Sequence, residues 1–163
     1  MFNVREDHVT SPVSGKDYHF FVIEANDWIN VIPLTRDGRL VCVRQYRHGI
    51  QETTLEIPGG VIDDGEDPLE AARRELIEET GYEPEEITLL GCVSPNPAIQ
   101  NNRCFSFLAT GCRRVAEQNL DGTEDIAVEL IDPADVPHLV REGSFNHALV
   151  VAAFYLFDHR EGG

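Results

Sequence analysis

Three glutamates, Glu75, Glu78 and Glu79, stand at i, i+3 and i+4 in a segment patterned for a helix, so their carboxylates crowd one face. Like charges at that spacing repel by roughly 0.2–0.5 kcal/mol per pair, and the pattern asks for a compensating cation. Arg74 is within reach of Glu70 and Glu78 at i−4 and i+4, but one guanidinium does not neutralise the whole set. Hard carboxylate oxygens in this arrangement suit Mg2+ or Mn2+, which would bridge the helix to phosphate oxygens of a substrate. A merely solvated acidic face is the plain alternative, and three neighbouring features weigh against it. Gly59-Gly60 offers bare backbone that can approach a metal and lend a carbonyl oxygen. Glu66, just before the helix, can hydrogen-bond its first amides or pair with Arg74. The third feature is the spacing itself: Gly60, five residues, Glu66, seven residues, then Arg74-Glu75-Leu76-Ile77-Glu78-Glu79-Thr80-Gly81-Tyr82.

The elements that must position these groups are legible around them. Asp67 is suited to cap the helix, with Pro68 at its first position and Glu70 completing a capping-box-like pattern, and Gly81 supplies the stop. Leu69, Ala72 and Leu76 would face the core. Upstream, Tyr18 to Glu24, Trp28 to Leu34 and Leu40 to Tyr46 read as strands, with Asp37-Gly38 predicting a type I′ hairpin turn between the last two. Leu55-Glu56-Ile57 is a short extended piece, and Pro58-Gly59-Gly60 reads as a loop. Strands are predicted at Ile87 to Val93, Cys104 to Ala109 and Ile126 to Ile131, a short helix before Gly143, and an apolar terminal helix within Phe145 to Asp158. With no internal repeat or linker, the expectation is one mixed α/β layered domain over residues 1–163.

Composition narrows the partners. Twenty-nine acidic against thirteen basic residues give a formal charge of -16, which repels long nucleic acid. A phosphate-bearing substrate would then need local positive charge, and a carboxylate-bound divalent cation supplies it. The cysteines Cys42, Cys92, Cys104 and Cys112 show no CxxC spacing, and none of the histidines forms an HExxH pair, so neither a zinc knuckle nor zinc catalysis is indicated. Charge near Met1 where a secretory signal has its apolar core, and a longest apolar run (Ala148 to Phe157) too short to span a bilayer, predict a soluble cytoplasmic protein without a membrane partner.

The run from Gly60 to Tyr82 matches the Nudix box at every specified position, and the chain resembles the Nudix hydrolase family. Gln45-Tyr46-Arg47, Leu55-Glu56-Ile57-Pro58-Gly59-Gly60, Ser94-Pro95-Asn96-Pro97 and Phe107-Leu108-Ala109 look like its ADP-ribose pyrophosphatase branch. The resemblance implies an α/β/α sandwich with a mixed sheet and an N-terminal antiparallel strand extension. It implies Mg2+-dependent cleavage of a nucleoside diphosphate derivative, ADP-ribose foremost, to AMP and ribose 5-phosphate. Another nucleotide sugar, a dinucleotide or an isoprenoid diphosphate is the alternative substrate, and a nucleotide sensor that does not cleave is the alternative role. By position, Glu75 and Glu79 resemble the main metal ligands, Glu78 a further or supporting carboxylate and Gly59 a carbonyl ligand, while Gly60, Glu66, Arg74 and Gly81 brace the box. Glu124, in Asp121-Gly122-Thr123-Glu124-Asp125-Ile126, matches a late-loop ligand or base. Arg47, Arg103 and Pro97 fall at positions near the substrate, and Trp28 is a candidate to stack on a base. The chain departs from the branch at Asn96-Pro97-Ala98 and at Asn101 and Asn102. Branch members commonly pair as homodimers through amino-terminal strands, which places residues 1–35 at a possible dimer face.

Overall fold

A computed structural model describes residues 2–120 and 125–160. The strands are β1 (Asn3–Thr10), β2 (Asp17–Glu24), β3 (Trp28–Thr35), β4 (Leu40–Arg47), β5 (Glu52–Glu56), β6 (Gly59–Val61), β7 (Tyr82–Glu83), β8 (Glu86–Val93), β9 (Cys104–Arg114) and β10 (Ile126–Ile131). The helices are α1 (Pro68–Thr80), α2 (Val136–Arg141, entered through a 3-10 turn at Pro133–Asp135) and α3 (Ala148–Asp158).

β3 organises the molecule because its side chains serve two layers. Ile29 and Val31 pack with Ala72 and Leu76 of α1 and with Phe107 and Ala109 of β9, whereas Ile32 packs with Leu40, Leu55, Val150 and Phe154 on the α3 side. The period-two alternation of a strand therefore writes both apolar faces into one stretch. Burial of each large apolar side chain contributes about 1.5–3 kcal/mol, so these two clusters hold the helices on opposite faces of the sheet. The result is the expected sandwich of helices about a mixed sheet. β3 and β9 run parallel, while β4 with β5 and β10, β6 with β3, and β7 and β8 with β9 pair antiparallel.

Two local expectations change. The Asp37-Gly38 turn is not type I′, since Gly38 alone of the pair has positive φ (+80°). Thr35 donates its hydroxyl to the Asp37 carboxylate at 2.6 Å, and the Gly38 amide donates to the Thr35 carbonyl. β3 and β4 are paired only at Leu34↔Leu40 and then diverge, β4 going to β5 and β10. No long hairpin twist has to be matched, so the primed turn is not required. Second, Gly59-Gly60 is not loop but the start of β6, with Gly59 opposite Asn30 and Gly60 opposite Ile29. The N-terminal antiparallel extension that the resemblance implied is present: β1, which no apolar pattern announces, pairs along its full length with β2 in a separate two-stranded sheet. That hairpin joins the body through the Ile23 amide to the Ile99 carbonyl (2.7 Å) and a bridge between Ile23 and Gln100.

Candidate active site

Helix α1 is punctuated as its sequence demands. Asp67 accepts the Leu69 amide at 2.9 Å, Pro68 occupies the first turn, and the left-handed Gly81 (φ +73°) returns its amide to the Ile77 carbonyl at 2.8 Å. A β-carbon at Gly81 would also lie 2.1 Å from the Ala116 carbonyl oxygen, so glycine is needed there for space as well as for backbone conformation. With both ends fixed and Leu76 buried, the acidic face is turned toward β6.

There the three glutamates divide. Glu79 is 4% exposed and accepts the Gly59 amide at 3.1 Å. The Glu75 carboxylate lies against Gly60, where a β-carbon would stand 2.2 Å from its Oε1. Glu78 is the most open, and Arg74 donates to it at 3.1 Å and to Glu75 at 2.9 Å. Arg74 turns its other nitrogens to Glu66 in a bidentate pair at 2.8 and 2.9 Å, and reaches the Val61 carbonyl at 3.2 Å. The arginine thus braces Glu66 and Glu78, both within its expected reach, and Glu75, while no bond to Glu70 is seen among the described residues. Hydrogen bonds from Arg74, with help from the Asp63 amide, hold the Glu66 carboxyl down to about 2. The guanidinium is raised in turn, chiefly by Glu66.

Three carboxylates thus share one guanidinium, and a fourth, Glu79, is buried beside them on the Gly59 amide. Gly60 lies where a side chain would push the Glu75 carboxylate away, and Gly59 where one would meet the Ile29 carbonyl. An all-oxygen, acidic donor set of this kind fits a hard divalent cation.

The box opens onto a cleft of about 770 Å3 whose walls include Trp28, Asn30, Arg47, Glu56, Gly59 and His147. Arg47 is held there by a bidentate pair with Glu56 at 2.7 and 2.8 Å. Burial pushes the Glu56 carboxyl up, but hydrogen bonds from Arg47 and from the Thr54 hydroxyl (2.6 Å) outweigh it, and the net shift is downward. Glu56 is therefore an ionised buried anchor for a guanidinium facing the cleft. Asn30, 6% exposed, donates to the Leu149 carbonyl at 3.2 Å, while its Oδ1 has no hydrogen-bond partner among the described residues. His147 caps α3 by accepting the Leu149 amide on Nδ1 at 3.2 Å.

Of the expected substrate residues, Trp28 and Arg47 line this cleft and Arg103 and Pro97 do not. Arg103 serves through its backbone, donating to the Asp27 carboxylate at 2.7 Å and accepting the Trp28 amide at 2.8 Å, with its side chain exposed. Pro97 is exposed in a turn closed by the Ile99 and Gln100 amides on the Asn96 carbonyl, and Pro95 is the proline in the cleft wall. Glu124 lies outside the described residues. Its flank does not: Gln118 donates both to the Glu79 carbonyl (2.6 Å) and to the Ile126 carbonyl (2.9 Å), tying the start of β10 to the end of α1. Glu56, Asn30 and His147 were not singled out from sequence. Glu56 sat in a motif read for its glycines, and Asn30 and His147 carry no spacing that marks them.

With this geometry established, comparison with known proteins is direct. Residues 27–154 match the family model of the NUDIX domain. The chain is 32% identical over 132 residues to the methanol dehydrogenase activator of Bacillus methanolicus, covering 78% of this chain and 70% of that protein. It is 33% identical over 119 residues to the ADP-ribose pyrophosphatase of Bacillus subtilis, covering 73% of this chain and 64% of the relative. A crystal structure of an ADP compounds hydrolase superposes with a TM-score of 0.86 at 25% identity, over 97% of this chain and 85% of that one. The chain belongs to the Nudix family. Within it, the chain is a pyrophosphohydrolase similar to the ADP-ribose pyrophosphatases.

Proposed function

We propose that the protein hydrolyses the pyrophosphate bond of a nucleoside diphosphate derivative, ADP-ribose first among them, yielding AMP and ribose 5-phosphate. The observation that carries this reading is the packing of Glu75 and Glu79 against Gly60 and Gly59 at the edge of a cleft that also contains Trp28 and Arg47. Glu75, Glu79 and Glu78, with the Gly59 carbonyl, would hold Mg2+, and Mn2+ suits the same donors. Bound there, the ion would supply positive charge to the phosphates and Lewis acidity that activates water.

The chain's own groups do the rest. Arg47, fixed by Glu56, presents its guanidinium to the diphosphate, and the indole of Trp28 offers a face to the base. Arg74 and Glu66 hold the box in register. Water oxygen forms a bond to one phosphorus, the bridging P–O bond breaks, and the departing phosphate keeps the electron pair. A carboxylate takes the water proton, and Glu124 or a box glutamate fills that role. Arg103 and Pro97, which do not line this cleft, are proposed to meet the part of the substrate that extends beyond it.

The test is product analysis with ADP-ribose, nucleotide sugars, dinucleotides and nucleoside triphosphates, each with Mg2+ and with EDTA. Metal-dependent AMP and ribose 5-phosphate from ADP-ribose, ahead of the other substrates, is the expected result. Preference for another diphosphate would replace the substrate, and nucleotide binding without turnover would make the protein a sensor.

The protein is further proposed to act as one domain over residues 1–163 and as a homodimer built on the outer hairpin. Val9, Tyr18 and Phe20 are exposed on one face of that hairpin, opposite the face that carries His8 and His19, an apolar area that a second copy would cover. Sedimentation should show a dimer that Tyr18→Ser with Phe20→Ser dissociates. A cytoplasmic setting agrees with the free cysteines, three of them buried. Among the described residues no helix is long and apolar enough to cross a membrane.

A further inference from the structure

The outer hairpin carries a second group of metal-binding side chains that the proposed hydrolysis does not use. His8 and His19 are directly opposite in the β1–β2 ladder, and Glu6 lies two residues before His8, so all three project from the same face. The two imidazole rings lie 4.0 Å apart between centroids. Both converge on one carboxylate oxygen, the Glu6 Oε1, with His19 Nδ1 at 2.7 Å and His8 Nε2 at 3.4 Å. One nitrogen or oxygen from each residue lies within 4.8 Å of both others.

As a set of ion pairs this cluster does little, because exposed pairs contribute about 0–1 kcal/mol. As a donor set it is specific. A tetrahedral ion with bonds of about 2.0–2.2 Å holds its ligand atoms roughly 3.3–3.5 Å apart, so the His8–Glu6 separation already suits it. The His19–Glu6 contact has to open by about 0.7 Å on the same reckoning. The three side chains are 43–67% exposed, so rotation to that spacing meets no packing. Two imidazoles and a carboxylate favour zinc and its late first-row neighbours over Mg2+, the reverse of the all-oxygen box on α1.

We propose that Glu6, His8 and His19 form a binding site for Zn2+, with a fourth position open to water, that clips β1 to β2. The fold gives such a clip something to do. A two-stranded hairpin is marginal alone, and this one meets the body near Ile23, at the far end from the tip. An ion bound across the ladder stabilises the paired state by its own binding free energy.

The inference is independent of the reading of the α1 box, and its test keeps the two apart. Full-length protein is titrated with ZnCl2 by calorimetry in excess Mg2+, and amide exchange is followed with and without Zn2+. Wild type should bind one zinc per chain and slow exchange across β1 and β2. His8→Asn and His19→Asn, each in turn, should weaken binding by at least about tenfold, the loss seen when even a supporting partner of a metal ligand is removed. Both should also abolish the hairpin protection while leaving exchange in α1 unchanged. Undiminished zinc affinity in both variants, protection confined to α1, or no zinc binding by wild type would each overturn the proposal. Since both histidines are solvent-exposed, far-ultraviolet dichroism of the metal-free variants should match wild type and exclude misfolding as the cause.

Discussion

The acidic face of α1 and the ladder face of the outer hairpin both gather groups suited to cations, yet they are held in opposite ways. On α1 the helix is capped at both ends, Glu79 is buried on a backbone amide, Glu75 is seated against a glycine, and one arginine ties three carboxylates together. On the hairpin, register alone brings Glu6, His8 and His19 together, and solvent surrounds them. Convergence by packing gives a site whose geometry exists before a ligand arrives. Convergence by register leaves the ligand to finish the geometry. The first arrangement suits catalysis, where misplacement is costly, and the second suits a structural clip.

The contrast is sharpest under substitution of the box. Glu79→Gln keeps an oxygen for the Gly59 amide but removes charge from the metal site. Turnover of ADP-ribose should fall by about 100- to 1,000-fold or more, since several kcal/mol of charge stabilisation depend on the ion. The melting temperature should stay within a few degrees of wild type, and near-normal turnover would remove Glu79 from the metal site.

The two glycines should then separate function from fold. Gly60→Ala drives a β-carbon into the mobile end of Glu75, which can swing aside, so the fold survives while the ligand is displaced. Activity should fall by roughly 100-fold, as expected for a misplacement of about 1 Å in a reacting site. Gly59→Ala instead meets the Ile29 carbonyl at 2.5 Å, where backbone must move, and denaturant unfolding should show a loss of about 1–3 kcal/mol. Equal stability of the two variants would show that β6 yields more readily than its contacts suggest.

The Arg74–Glu66 brace makes a prediction about pH. The Glu66 pKa is lowered in the folded protein, so its stabilising contribution is complete above the ordinary carboxylate range and is lost as pH falls toward about 2. Arg74→Met should flatten that part of the stability curve in acid unfolding. A curve unchanged in slope between those limits would show that the pair adds nothing to stability.

The smallest effect is expected at His147. Asparagine there preserves the cap on the Leu149 amide, whereas alanine removes it at a cost of about 1 kcal/mol. If the ring touches substrate, both variants should raise KM a few-fold and only alanine should lower stability; an unchanged KM in both would leave His147 as a cap alone.

What the chain disclosed in advance follows from how local each signal is. Helix α1, its Asp67 cap, its Gly81 stop and the spacing of its carboxylates are local, and each appears where expected. β10 matches its predicted bounds because Ile126 to Ile131 is a short apolar strand between turn residues. β1 escaped because Asn-Val-Arg-Glu-Asp-His-Val-Thr has no buried face, so alternation carries no signal. The Glu56 anchor depends on Arg47 lying beside it across β4 and β5, and Asn30 on α3 returning from a distant part of the chain. Such pairings leave no periodic mark. Arg103 and Pro97 lie outside the cleft that Trp28 and Arg47 line, and Arg103 serves the fold there through its backbone.

The parallel pairing of β3 with β9 bears on the order of assembly. The box is contiguous in sequence, but β6 docks on β3, and β3 gains its other neighbour only from residues about 76 positions later, where Arg103 reaches Asp27 and Cys104 pairs with Trp28. Closing so long a loop is slow, and parallel strands earn no reward before closure. During synthesis, then, α1 can wind soon after Gly81 emerges, while its carboxylates have no settled platform until β9 has left the ribosome. Ion-binding competence should arrive late and abruptly, as a property of the closed sheet rather than of the segment that spells it.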